Sequence, residues 1–205
     1  MLNHKGFDLW ADGYDQCVVA SDENDSYPFA AYRQILNEIY KKVLTRSQKT
    51  ILDIGFGTGT LTAKLYEQGC VIRGQDFSER MIELARKKMP DAMLYRGDFS
   101  EGLVTELRRN TYDAIIATYS LHHLTDKQKI HFLESLLPLL NDGGCLYIGD
   151  VAFETRAELE RQRALIGDEW DTDEIYFVVD ELTESFPQIR FERFSFCSGL
   201  FTLKK

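Results

Sequence analysis

Chemistry first becomes possible in this sequence at Leu52-Asp53-Ile54-Gly55-Phe56-Gly57-Thr58-Gly59-Thr60. A β-rich run, Thr50 to Ile54, breaks there into glycines at alternate positions. With no β-carbon in the way, a ligand can approach the backbone closely, and the helix that follows presents free amides. Asp76 ends the next β-rich run, where its carboxylate can accept hydrogen bonds from both hydroxyls of a ribose. Gly-x-Gly alone is equally the mark of a tight turn with no ligand. The dinucleotide fingerprint requires Gly-x-Gly-x-x-Gly, yet position 60, where its third glycine would fall, is threonine.

Elements must hold these residues in place, and from residue 50 onward short β-rich runs alternate with stretches of helical spacing, an α/β pattern. Strands are expected at 50–54, 71–76, 92–95, 112–118 and 145–151. The fourth is almost continuously apolar, as a central strand covered on both faces should be. Ser78 caps a helix whose buried side is Met81, Ile82, Leu84 and Ala85, and Pro90 closes it. Thr125-x-x-Gln128 is a capping box that starts a helix through Leu133 and Leu136, ended by Pro138 and Asn141-Asp142-Gly143-Gly144. A leading helix is expected over 29–44, further helices over 154–166 and 173–186, and a terminal hairpin from the runs 189–196 and 200–203.

Four motifs in order resemble those of the class I methyltransferases that use S-adenosyl-L-methionine, over about Thr50 to Val151. Asp53 to Gly59 resembles the first, which implies that Gly55, Phe56, Gly57 and Gly59 lie against the methionine moiety and Asp53 near its amino group. Gly74 to Ser78, with Met81, is similar to the second, implying ribose binding by Asp76 and adenine packing by Phe77 and Met81. Gly97-Asp98-Phe99 resembles the third, whose aspartate meets the adenine amino group. Tyr112 to Thr118, running into Tyr119-Ser120-Leu121-His122-His123-Leu124, resembles the fourth, which ends beside the transferred methyl. Phe7 to Asp15, with Trp10 and Tyr14, resembles the opening element of small-molecule members, which folds over the cofactor. Phe56 departs from the pattern, which has a small residue there. The implied fold is Rossmann-like and doubly wound, a mostly parallel seven-stranded sheet with a C-terminal antiparallel hairpin. One domain, 1–205, is expected: a lid and helix over 1–46, a cofactor-binding core over 50–151, and substrate-side helices with the hairpin over 152–205.

The cofactor joins a cationic sulfonium to an amino-acid zwitterion and a neutral adenosine, so carboxylates and aromatic faces suit it better than the arginines that hold pyrophosphate. Asp53, Asp76 and Asp98 meet that description, although an aspartate after a strand is also a common turn former. In-line transfer of a methyl group can proceed by positioning and water exclusion, with a base needed only for a protonated nucleophile. His123 is the candidate base, whereas His122 is expected to pack or to satisfy backbone. Tyr14 and Tyr119 are candidates to orient the cofactor carboxylate or the substrate, or else core aromatics. No Asn/Asp-Pro-Pro-Tyr follows strand four and no Pro-Cys nucleophile is present, so base or glutamine methylation is not indicated. Thr118 stands where metal-dependent members resembling the catechol type have an aspartate ligand, and no metal is expected. A small-molecule methyl acceptor is expected, near Phe153, Arg156, Trp170 and Tyr176.

The chain has 205 residues and a net charge of −9, which argues against nucleic acid or an anionic membrane as partner. Residues 1–26 hold six acids and one base, and residues 164–189 hold eight acids and no base. Solvated surface explains such segments, as does a field that favours cationic substrates. Neither an apolar run long enough to span a bilayer nor a signal peptide is visible, so a cytoplasmic monomer or homodimer is expected. Four dispersed cysteines signal neither a zinc cluster nor a disulfide framework. Two rival readings are a cofactor-binding sensor without turnover and a nicotinamide-dependent dehydrogenase. The threonine at 60 and the lack of a Tyr-x-x-x-Lys pair count against the dehydrogenase.

Overall fold

A computed structural model describes residues 21, 23–45 and 49–205. Tyr32, Ile35, Leu36, Ile39 and Val43 recur at helical spacing and are all buried, which makes α1 (Tyr32–Leu44) an amphipathic cover for the sheet. Four parallel strands follow: β1 (Thr50–Ile54), β2 (Val71–Asp76), β3 (Met93–Arg96) and β4 (Tyr112–Thr118). They are connected through α2 (Thr60–Glu67), α3 (Glu79–Lys88) and α4 (Thr105–Arg108). Beyond β4 come α5 (Asp126–Leu136), β5 (Leu140–Phe153), α6 (Arg156–Ile166), the two-residue β6 (Phe177–Val178) and α7 (Val179–Ser185). The hairpin β7 (Arg190–Arg193) and β8 (Ser198–Lys204) comes last.

The strands lie in the order β3-β2-β1-β4-β5-β8-β7, with β6 beside the end of β5 and off that path. The first five are parallel, while β8 runs antiparallel to β5 and to β7. This is the expected seven-stranded path, with the short β6 as an eighth strand. Successive residues of β4 alternate between two cores: Ala114 and Ile116 pack with α1, α2 and α3, while Ile115 and Ala117 pack with α4 and α5. A strand buried on both faces must be apolar throughout, which is why β4 carries no polar alternation.

Thr125 and Gln128 form the expected capping box on α5, and the Ser78 hydroxyl accepts the Met81 N–H at 3.2 Å to start α3. Two boundaries differ from expectation. Asn141 to Gly144 lie within β5, where the β4–β5 register shifts between Tyr112 and Ala114 and absorbs the glycines as an irregularity. The helix expected over 173–186 begins only at Val179, because the Ile175 N–H donates to the His122 carbonyl at 2.8 Å and residues 177–178 pair with β5. Tertiary hydrogen bonds there replace the helical ones.

Candidate functional site

In a doubly wound sheet the chain leaves the centre in both directions, and a crevice opens where strand order reverses, outside the carboxyl ends of the strands. Here that point lies between β1 and β4, and a cavity occupies it. Asp53, Gly55, Phe56, Gly57, Asp76, Phe77, Met81, Phe99, Thr118 and His123 all line it, as the sequence expectation requires. Gly59 and Asp98 do not. Gly59 starts α2, and a β-carbon there would stand 2.8 Å from Met89 Cε, so its role is close packing of α2 on α3. Asp98 is exposed and accepts the Ser100 N–H at 2.8 Å, capping a turn over Phe99–Glu101. Tyr14, like the lid expected over the first residues, lies outside the described residues.

The glycine turn is held by the acid it faces. Gly57 N–H donates to Asp76 Oδ2 at 2.8 Å and Ser78 N–H to Asp76 Oδ1 at 2.9 Å, so the carboxylate ties the end of β2 to the loop after β1. At φ +55° Gly57 has nothing within 4 Å of where a β-carbon would stand, which leaves its cavity side open to a ligand. Phe56 is buried because β2 makes room for it: a β-carbon on Gly74 would lie 2.6 Å from Phe56 Cδ1. Gly74 therefore compensates the large residue in the glycine turn.

Asp53 is fully enclosed. Thr62 Oγ1 donates to its Oδ2 at 2.6 Å, while Oδ1 is buried with no hydrogen-bond partner among the described residues. Burial pushes its carboxyl up to about 7, against the hydrogen bond from Thr62 and with the help of the Asp76 charge. An orphaned carboxylate oxygen on a cavity wall calls for a cationic donor, and the amino group of S-adenosylmethionine is one. Phe77, Met81 and Phe99 add the apolar surface that adenine needs, so the residues present fit this cofactor.

Opposite the glycine turn, His122 meets carboxylates that the sequence did not foreshadow. His122 Nδ1 lies 2.7 Å from Asp150 Oδ1, a carboxylate at the end of β5 with no exposure, and His122 Nε2 lies 3.3 Å from Glu174 Oε1. Burial opposes a charge on His122, but the two carboxylates outweigh it and hold the imidazolium up to about 10. Burial of Glu174 is in turn outweighed by His122, which brings its carboxyl to about 2. The His123 ring sits 4.4 Å from that of His122, half-buried on the cavity wall; burial and the His122 charge lower it to about 4. Pro28, Phe29, Tyr32, Asp171 and Asp173 complete the wall. Of the residues expected near the acceptor, Phe153, Trp170 and Tyr176 stand behind it in an aromatic cluster with Tyr27, and Arg156 is paired with Glu181 and Asp126.

The model of a methyltransferase-domain family matches residues 51–144. An uncharacterized methyltransferase of Geobacillus sp. (strain WCH70) is 39% identical over 156 residues, covering 76% of this chain and 70% of that protein. Two solved structures share the fold at low identity. The DhpI–SAH complex has a TM-score of 0.71 and 17% identity over 97% of this chain and 93% of that one. Streptomyces venezuelae DesVI has a TM-score of 0.67 and 19% identity over 98% of both chains. With its glycine turn tied to the aspartate that ends β2 and a relative of this identity, the chain belongs to the class I S-adenosylmethionine-dependent methyltransferases.

Proposed function

We propose that the chain methylates a small-molecule nucleophile without a metal, with His123 as general base. The observation that carries this reading is that one cavity joins Asp53 and Asp76 on one side to His123 on the other. When bound, S-adenosylmethionine supplies a methyl group on a sulfonium, an electrophile that needs no further activation. Asp53 would hold its amino group, Asp76 its ribose, and Phe77 with Met81 its adenine. Glu174 and Asp150 keep the His122 ring in place, and His122 in turn sets the position of His123 beside it. Its low proton affinity leaves His123 uncharged at neutral pH and a weak base, suited to a proton that becomes acidic as the methyl bond to the acceptor forms. Phe29, Tyr32 and Tyr119 pack their rings within 5.8 Å of one another over the crevice and exclude water from it. A cavity walled by Phe29, Tyr32 and Tyr119 at the strand ends suits a small acceptor better than a macromolecule.

Incubation with methyl-labelled cofactor and a fractionated metabolite extract tests the reading. One small product should carry the label, with or without a chelator present. His123→Ala should lower kcat by about 10²- to 10⁴-fold and leave cofactor affinity unchanged. Undiminished transfer by that variant would remove the base, and absence of any labelled product would remove the reaction.

A further inference from the structure

We propose that His122, His123 and Glu174 form a binding site for a late first-row divalent metal ion such as Zn²⁺, separate from the cofactor half of the cavity. Each offers one ligand atom, and those atoms lie within 4.8 Å of one another. Zinc–nitrogen and zinc–oxygen bonds of about 2.0 to 2.1 Å in a tetrahedron set ligand atoms about 3.3 to 3.4 Å apart. His122 Nε2 and Glu174 Oε1 already stand at 3.3 Å.

Two of the three ligands, His122 and Glu174, are oriented from behind. Asp150 fixes His122 through Nδ1, the arrangement in which a carboxylate holds a metal-binding histidine in the tautomer that leaves Nε2 for the ion. The Val151 N–H donates to the same Asp150 oxygen at 2.8 Å and keeps that carboxylate from turning. Glu174 is held by its other oxygen, which accepts the Tyr176 hydroxyl at 2.7 Å, so Oε1 alone is left for an ion. The Ile175 amide on the His122 carbonyl locks the segment carrying Glu174 to the turn carrying the histidines. Three protein ligands facing a cavity leave a fourth position open. Two nitrogens and one oxygen select zinc, cobalt or nickel over magnesium or calcium. Charge agrees as well, since one dication balances the carboxylates of Asp150 and Glu174. On binding, the Nε2 proton of His122 passes to solvent and the ion takes its place.

The consequence for the proposed reaction is inhibition, because an ion on His123 occupies the lone pair that would accept the acceptor's proton. Metal binding itself can be read without any methyl transfer, so the site and the reaction stand or fall separately. Titration of the untagged, metal-free full chain with Co²⁺ at pH 7.5 should give one equivalent bound, with the visible absorption of a four- or five-coordinate ion, displaced by Zn²⁺. Glu174→Gln and His123→Ala should each weaken Co²⁺ binding at least tenfold, with far-ultraviolet circular dichroism confirming the fold; His123, half-buried, is the substitution that the fold tolerates more easily. No Co²⁺ spectrum at up to millimolar metal, or a spectrum and affinity unchanged in the folded His123→Ala protein, would overturn the site.

Discussion

Titration of Asp53 should make the affinity for S-adenosylmethionine depend on pH in a window where few carboxylates titrate. In the free protein the buried carboxyl, at about 7, is about nine-tenths protonated at pH 6 and half protonated at pH 7. A cationic amino group at the orphaned Oδ1 favours the carboxylate, so the proton must leave when the cofactor binds. Between pH 5.5 and 7 affinity should therefore rise with pH, approaching about tenfold per unit at the lower end, and level off above 7. Calorimetry in buffers of different ionisation enthalpy should report about 0.9 proton released per site at pH 6 and about half that at pH 7. Asp53→Asn should abolish both effects and weaken binding at pH 7.5 by about ten- to a hundred-fold, the value of a hydrogen bond to a charged group. The same linkage acts on the free protein with the opposite sign. A carboxyl raised in the folded state contributes stability that is fully present below about 4 and is lost as pH rises through about 7. Cofactor affinity that stays constant from pH 5.5 to 7 with no proton release would show that no cation meets Asp53, and the assignment of the amino group to it would fail.

Other substitutions probe the opposite edge of the same half-site. Asp76→Ala removes the acceptor for the Gly57 and Ser78 amides as well as the proposed ribose contact, so cofactor affinity should fall by at least about ten- to a hundred-fold; calorimetry showing wild-type affinity would contradict it. Gly57→Val places a branched side chain at φ +55° in the open part of the cavity, which should cost about 1 to 3 kcal/mol of stability and eliminate measurable binding. Normal binding by a folded Gly57→Val protein would mean that the cofactor lies elsewhere.

The cofactor half of the site was legible because its determinants are local. A strand, a glycine turn and an acid at the end of the next strand fall within 27 residues, Thr50 to Asp76, and periodicity alone places both acids at neighbouring strand ends. Asp98 shows the limit of that reasoning: it follows a strand as Asp76 does, yet its side chain turns to the Ser100 amide and stays exposed. Phe56 looked anomalous until β2 was paired with β1, when Gly74 came to face its ring. On the opposite wall the two histidines were legible, but the carboxylates that meet His122 were not. His122 and Glu174 meet only because β5 carries the chain across the sheet and residues 171–178 return along its end. No sequence period reports a contact of that range, nor that residues 173–178 stay out of the helix expected over 173–186, which begins at Val179.

That returning segment also explains the charge of residues 164–189. Eight acids without a base look like solvated surface, but a solvated segment has no need to be fastened, and this one is fastened at several points. Lys129, almost without exposure, donates to the Ile175 carbonyl, pairs with Asp126 at 3.1 Å and lies 4.6 Å from the Phe177 ring centroid. Burial lowers the proton affinity of that amine, a cost offset by its three contacts. Tyr176 reaches the Tyr27 hydroxyl, and Tyr27 in turn accepts the Asp171 N–H at 3.0 Å and stacks on Trp170. Arg156 takes up Glu181 on the outer side. Of the eight acids, Asp171, Asp173 and Glu174 line the cavity wall. Three of the eight acids thus face the crevice beside the His122 imidazolium while the rest face solvent, and on the proposed function an anionic acceptor should be disfavoured there against a neutral or cationic one.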